Sequence, residues 1–229
     1  MKSIALCRNP DLKHHVTQGA AWLAQSAGGV NTAALAYAAF EFRLAIERLG
    51  LHYWAELLSR KLEEKDLRDL ASFKRIENRI YDLGGHQKEI DGHFEFMRVV
   101  LGLLKIERKL PTPKLGELSS HWHQCSELCH IGWSLVAGDP QLAAESYTAL
   151  KTIEALLNEQ VADLVTWPRI SDSSFADLRT RYVAGLANAS DVQRYFEERG
   201  AWAKVEYNDD RPSEFVGEPI PPMPKSEAS

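Results

Sequence analysis

The long apolar stretch from Ala33 to Leu58 is the feature that most constrains how this chain can fold. It contains no proline and a single glycine, and the Asn31-Thr32 pair before it can cap the helix that it predicts. We expect this helix to run to about Leu62, which at about 1.5 Å per residue gives a length of roughly 45 Å. A helix of that length has more apolar face than one small bundle can cover.

Two apolar stripes run along the predicted helix. With about 100° per residue and Glu41 set at zero, one stripe spans about 80° to 160° and the other about 220° to 320°. The first stripe consists of Leu35, Ala39, Phe42, Ile46, Leu49 and Tyr53. The second consists of Ala36, Tyr37, Phe40, Leu44, Leu51, Trp54 and Leu58. We expect one stripe to pack inside the bundle and part of the other to meet a second copy of the chain, most simply by two-fold symmetry.

The charged residues of this helix divide into two groups. The remaining wedge of the helix, around Glu41 and on the side away from Arg43 and Glu47, is expected to face water, and it holds Glu41, Arg48, His52 and Glu56. Arg43 and Glu47 fall instead between the two apolar stripes, one helical turn apart, where they can pair. Three interpretations stand: a buried structural ion pair that fixes helix register, the polar floor of a binding site between helices, or an exposed pair on a tilted helix.

Helix signals recur along the rest of the chain with short breaks between them. Predicted helices span 11–27, 31–62, 66–83, 86–106, 115–138 and 139–165, followed by two short ones at 173–185 and 190–199. The segment 201–207 is expected to be a short strand or an extended arm. The pattern predicts an all-α fold: a bundle of four to six helices in residues 1–167, a small helical extension in 168–207 and a Pro-rich acidic tail in 208–229.

Composition excludes several classes of function. A net charge of −5 and a pI of about 5.9 give no electrostatic footprint for duplex nucleic acid. Three cysteines fit a reducing cytoplasm, and we expect no signal peptide, no membrane span and a cytoplasmic location. The sequence has no phosphate-binding glycine loop and no nucleophile-elbow motif, so we expect no cofactor.

The segment His121–His130 packs histidines and cysteines closely together. Three of its residues, Trp122, Cys125 and Cys129, follow core spacing and are expected to be buried. Three others share a different face at positions i, i+4 and i+7: His123, Glu127 and His130. A zinc or di-iron site would need a second ligand cluster, which the sequence lacks, so a metal-dependent bundle enzyme is the weakest alternative. These residues are expected to form a polar seam at a cleft or a subunit interface, or a solvated face.

Arg79 and His86 are the candidate catalytic pair, separated by six residues in the segment RIYDLGGH. An arginine can hold a phosphate group, and a neutral histidine can accept a proton from a ribose 2′-hydroxyl. Without a partner motif this pair is also compatible with a helix-end arginine beside a loop histidine.

The segment LAYAAFEFRLAIERL, the helical hairpin after it and the later ELCHIGWS resemble the HEPN family of helical proteins, over about residues 31–165. The resemblance implies a homodimeric bundle of four or five helices that acts on RNA without metal, in a bacterial defence or toxin–antitoxin setting. It also implies that Arg79 and His86 form the family's Arg-x(4–6)-His catalytic motif. Two features depart from that motif: Ile80 follows the arginine, and Gly84-Gly85 interrupts the helix. The alternative is therefore a non-catalytic module of the same fold that binds a partner protein or acts as a sensor.

Overall fold

The computed structural model describes residues 10–58, 63, 66, 72–130, 138–161, 167–168, 170, 172–205 and 212–223. Within these residues lie the helices α1 (Pro10–Gln25), α2 (Thr32–Leu58), α3 (Phe73–Gly84), α4 (Gln87–Leu103), α5 (Leu115–Cys129), α6 (Pro140–Val161), α7 (Ser173–Val183) and α8 (Ala189–Arg199). Two strands, β1 (Ala201–Val205) and β2 (Glu214–Ile220), form one antiparallel sheet. The mostly helical structure confirms the all-α class. None of the described helices has the length and apolar character needed to span a membrane.

The chain divides into two compact units, each built from two separate segments. Unit 1 contains residues 1–87 and 113–167, and unit 2 contains residues 88–112 and 168–229. This division differs from the predicted single bundle over 1–167, because residues 88–112 belong with the C-terminal part of the chain. Aromatic packing explains the difference: the buried Phe96 of α4 lies 5.1 Å from the Phe175 ring and 5.3 Å from the Tyr182 ring of α7, measured between centroids.

Helix α2 forms the centre of unit 1. All six residues of its first predicted stripe are buried. The neighbouring helices approach it closely at two glycines. At Gly19 of α1 the Phe42 ring leaves no room for a Cβ, and a Cβ on Gly50 would lie 2.9 Å from the Phe73 ring of α3. Close helix contact therefore depends on these two residues having no side chain.

The prediction that one wedge of α2 faces water is wrong for Glu41 and His52. Glu41 pairs with His15 of α1 at an Nδ1–Oε2 distance of 2.7 Å, with side chains only 20% and 16% exposed. Burial lowers the pKa of His52, an effect that the nearby Glu56 carboxylate partly opposes. At Glu41 the reason is the packing of α1, which lies on this side of α2, where small residues are buried: Ala34, Ala38 and Ala45.

Three helix boundaries differ from those predicted. The third predicted helix does not run unbroken from residue 66, because Ser72 is extended (φ −155°, ψ 156°) and α3 begins at Phe73. The fifth ends at Cys129, because His130 is extended (φ −80°, ψ 145°). The short helix α8 is capped by Asn188 rather than Ser190. The predicted continuations over 59–62 and 131–137 lie outside the described residues.

Unit 2 places a β-hairpin where the sequence predicted an arm and a tail. The expected strand at 201–205 is present, and it pairs with β2, which lies inside the predicted tail. The backbone N–H of Glu218 also donates to the Leu104 carbonyl at 2.7 Å, so β2 is held by residues on both of its sides. At Gly217 (φ 73°) the same carbonyl approaches so closely that a Cβ would overlap it. The acidic, Pro-rich composition concealed these contacts, because only Phe215, Val216 and Ile220 mark the strand.

Candidate functional site

Arg43 and Glu47 of α2 form the ion pair that the sequence predicted. Arg43 Nε donates to Glu47 Oε1 at 3.1 Å, and the two side chains are 28% and 29% exposed. The pair is therefore half-buried, intermediate between the buried and exposed interpretations. An arrangement of this kind retains partial contact with water, which reduces the cost of desolvating the charges.

Trp122 of α5 completes this cluster. Its Nε1–H donates to the same Glu47 oxygen at 2.8 Å, and the Arg43 guanidinium carbon lies 4.8 Å from the centroid of the indole. The indole also stacks on Phe73 at 6.3 Å between centroids with an interplanar angle of 17°, and the His123 ring lies edge-on to it at 5.1 Å. The sequence placed Trp122 in the apolar core and missed its polar contact. The signal was its N–H group, which needs an acceptor when the indole is packed between helices.

Of the two cysteines beside this cluster, Cys125 is buried as expected, whereas Cys129 is only half-buried. Burial raises the pKa of the Cys125 thiol to about 12, and burial also raises the pKa of Cys129 despite the nearby Arg43. Both thiols stay protonated at neutral pH, and the thiol form is a poor nucleophile and metal ligand. The cluster thus connects α2 to α5 through polar contacts, and neither of its neighbouring thiols is activated as a nucleophile.

The seam of His123, Glu127 and His130 lies on the surface of the chain. All three side chains are exposed, and the described residues contain no group of three or more metal-binding side chains. Exposure of this kind fits a solvated face or a subunit interface, two of the interpretations left open by the sequence.

Arg79 lies on α3, and His86 lies in the short break between α3 and α4. Arg79 is 53% exposed on α3, with its Nη1 atom 3.9 Å from Asp82 Oδ2. Together with Arg75, Asn78 and Asp82 it lines a surface depression of about 370 Å³. Gly85 (φ 85°) ends α3, and the exposed His86 follows it with its ring centroid 5.9 Å from that of Tyr81. No hydrogen bond or ring contact joins Arg79 to His86 within the described part of the chain.

An exposed aromatic surface on α2 is the other notable feature of unit 1. Tyr37 is 56% exposed and Phe40 is 48% exposed, although both belong to the second predicted apolar stripe. Trp22 of α1 extends this surface, since its ring lies 4.9 Å from that of Tyr37 between centroids. Adjacent exposed aromatic residues of this kind mark interaction surfaces more often than they mark ordinary solvent-facing helix.

The candidate features of unit 1 are therefore a polar depression on α3 and an aromatic surface on α2. The first offers two guanidinium groups to an anion, and the second offers apolar area to a macromolecule. In comparisons with known proteins, the chain matches no family model, no curated protein and no solved structure.

Proposed function

We propose that this protein is a HEPN-like helical interaction module that assembles as a homodimer through the exposed side of α2. The observation that carries the proposal is the exposure of Tyr37 and Phe40 on a helix whose opposite stripe is fully buried. Burying such rings stabilises an association by removing apolar surface from water.

The spacing along this side of α2 suits helix pairing. Ala33, Tyr37, Phe40 and Leu44 follow one another at intervals of four, three and four residues, the spacing of a coiled-coil seam. The first three are exposed and Leu44 is half-buried. A stripe of this kind on one helix can pair with its own copy by two-fold symmetry, because each subunit then presents the same surface.

The expected test is sedimentation at micromolar concentration. Wild-type protein should sediment as a dimer and Phe40→Glu as a monomer, with unchanged helical circular dichroism. Leu83→Glu is the matched control, because Leu83 of α3 is also 48% exposed but does not lie on α2. A monomeric wild type, or a dimer that survives Phe40→Glu, would contradict the proposal.

Metal-independent RNA cleavage is the second candidate function, in a defence or toxin–antitoxin setting. The depression that holds Arg75, Asn78 and Arg79 supports it, because two guanidinium groups on one helix face can bind phosphate. His86, two residues after the last residue of α3, would act as the base in this scheme. Against it stand the exposure of both candidate residues and the Asp82 carboxylate beside Arg79.

A cleavage assay on single-stranded RNA separates this candidate from the first. Arg79→Ala and His86→Ala should each abolish cleavage, while Lys88→Ala, which removes an exposed cation two residues from His86, should not. Cleavage by both variants at unchanged thermal stability would exclude the assignment. Cleavage that is lost only on addition of EDTA would indicate the metal-dependent alternative.

A further inference from the structure

A cavity of about 440 Å³ in unit 2 is not used by any function considered so far. It lies where the end of α8 leads into the hairpin, and it is lined by Arg199, Gly200, Ala201, Trp202, Pro219, Ile220, Pro221 and Pro222. Its volume falls in the range of about 300–1,000 Å³ that is typical of small-molecule sites. Arg199 is the one charged residue among the described residues that line it.

The Arg199 side chain is held in place by two neighbours. Its Nη1 donates to Ser174 Oγ at 2.8 Å, and its guanidinium carbon lies 5.1 Å from the centroid of the Tyr195 ring. Tyr195 is fixed in turn, because its hydroxyl donates to Asp172 Oδ1 at 3.0 Å. The guanidinium is thus oriented before any ligand arrives, which lowers the entropic cost of binding one.

Arg199 has no carboxylate partner within the described residues. The other arginine of α8 differs: Arg194 pairs with Asp191 at 3.6 Å. Asp172, the nearest acid in the Arg199 network, is already engaged, and its pKa is lowered by hydrogen bonds from the Phe175 backbone and from Ser174 and Tyr195. The remaining N–H groups of Arg199 have no hydrogen-bond acceptor among the described residues, so they can donate to an anion from outside the chain.

The other walls of the cavity are mostly apolar. Trp202 is 65% exposed, and the register of the hairpin shifts between Ala201 and Ala203, at the position of this indole. The facing wall is a proline-rich segment whose position is fixed, because Met223 N donates to Glu197 O at 2.7 Å. Gly200 (φ 76°) permits this closeness, since a Cβ there would lie 2.9 Å from Pro222 Cδ. An indole beside proline rings offers flat surfaces for a planar ligand.

We propose that this cavity binds a small aromatic anion, a planar ring that carries a carboxylate or a phosphate. The ring stacks on Trp202, and the anionic group accepts charge-assisted hydrogen bonds from Arg199. Glu197 and Glu198 immediately precede Arg199 on α8, and their negative charges favour a compact ligand with a single anionic group over a polyanion. The site lies in unit 2, so it does not depend on either function proposed for unit 1.

Calorimetric titration of the full chain with matched probes tests this site. Indole-3-acetate represents the carboxylate source and adenosine monophosphate the phosphate source, and indole-3-acetamide and adenosine are their neutral counterparts. We expect at least one anion to bind with a Kd of roughly 1 mM or tighter, and its neutral counterpart to bind about tenfold more weakly or not at all. Whichever anion binds identifies the source.

Variants of the cavity complete the test. Arg199→Gln and Trp202→Leu should each weaken binding about tenfold or more, whereas Arg194→Gln, which removes an exposed cation of the same helix outside the cavity, should leave it unchanged. Absence of binding by both anions, equal binding of the neutral counterparts, or unchanged binding by Arg199→Gln would each overturn the proposal. The comparison of charged and neutral probes uses wild-type protein, so it holds even if a variant fails to fold.

Discussion

Replacing Glu47 by alanine removes the acceptor that Arg43 and Trp122 share. In the wild type, one carboxylate oxygen accepts from Arg43 Nε at 3.1 Å and from Trp122 Nε1 at 2.8 Å. The variant leaves an arginine and an indole N–H between helices α2 and α5 without their common partner. The same oxygen thus links two helices that are far apart in sequence.

The expected cost follows from the number of bonds and the degree of burial. Hydrogen bonds to a charged group contribute about 1.5–3 kcal/mol, and breaking a fully buried ion pair costs about 3–5 kcal/mol. The side chains of this pair are 28% and 29% exposed, which places them nearer the lower figure. We therefore expect Glu47→Ala to lower the free energy of unfolding by about 2–3 kcal/mol. Arg43→Ala should cost about 1–2 kcal/mol, because it removes one hydrogen bond and a cation–π contact.

Urea denaturation of the single and double variants measures these effects. The double variant Arg43→Ala/Glu47→Ala should cost about 1 kcal/mol less than the sum of the singles, because neither charge is then left without its partner. Arg48→Ala is the control, since no hydrogen bond or ion pair joins Arg48 to another described residue, and it should change stability by less than about 0.5 kcal/mol. Equal small effects in all variants, or strict additivity, would refute the reasoning.

Two further predictions concern unit 2. Burial, and then the nearby positive charge of α7, lowers the pKa of His93 from 6.5 to about 4, so the folded state binds this proton less readily than the unfolded state. The resulting contribution to stability is present above pH 6.5 and is lost as the pH falls to 4. Over this range, the difference in unfolding free energy between wild type and His93→Gln should change by about 3 kcal/mol. Parallel pH profiles of unfolding free energy for the two proteins would contradict this. Gly217→Ala should destabilise by about 1–3 kcal/mol more than Gly185→Ala in urea denaturation, because both glycines have positive φ but only at Gly217 would a Cβ overlap a backbone carbonyl; equal costs would show that β2 can shift to accommodate the methyl group.

The periodicity of α2 predicted its buried side but not which of its other sides would be covered. Leu35, Phe42 and Ile46 are buried as the helical pattern requires. Glu41 was assigned to water by the same pattern and instead pairs with His15. A helical wheel contains no information about neighbouring helices. The small alanines on the side of α2 that packs against α1 do not by themselves indicate whether that side is buried or exposed.

The candidate sites show the same limit. The spacing of Arg43 and Glu47 predicted their ion pair, because both residues lie on one helix. The part played by Trp122 could not be read in this way, since it depends on how α5 packs against α2. The cavity at Arg199 could not be predicted at all, because part of its lining comes from β2, a strand whose acidic, Pro-rich sequence resembles a tail.

The pairing of β2 with β1 has a consequence for the order in which the chain can fold during synthesis. Unit 2 needs residues 88–112, which leave the ribosome early, and residues up to Ile220, which leave it more than a hundred positions later. While residues 113–167 are being made, Phe96 of α4 therefore lacks the Phe175 ring that packs against it in the folded protein. Contacts so distant in sequence close slowly, and a waiting apolar surface invites association with other chains. The hairpin is thus the last part of unit 2 to be made, and a truncation before Phe175 leaves Phe96 of α4 without the aromatic rings that pack against it.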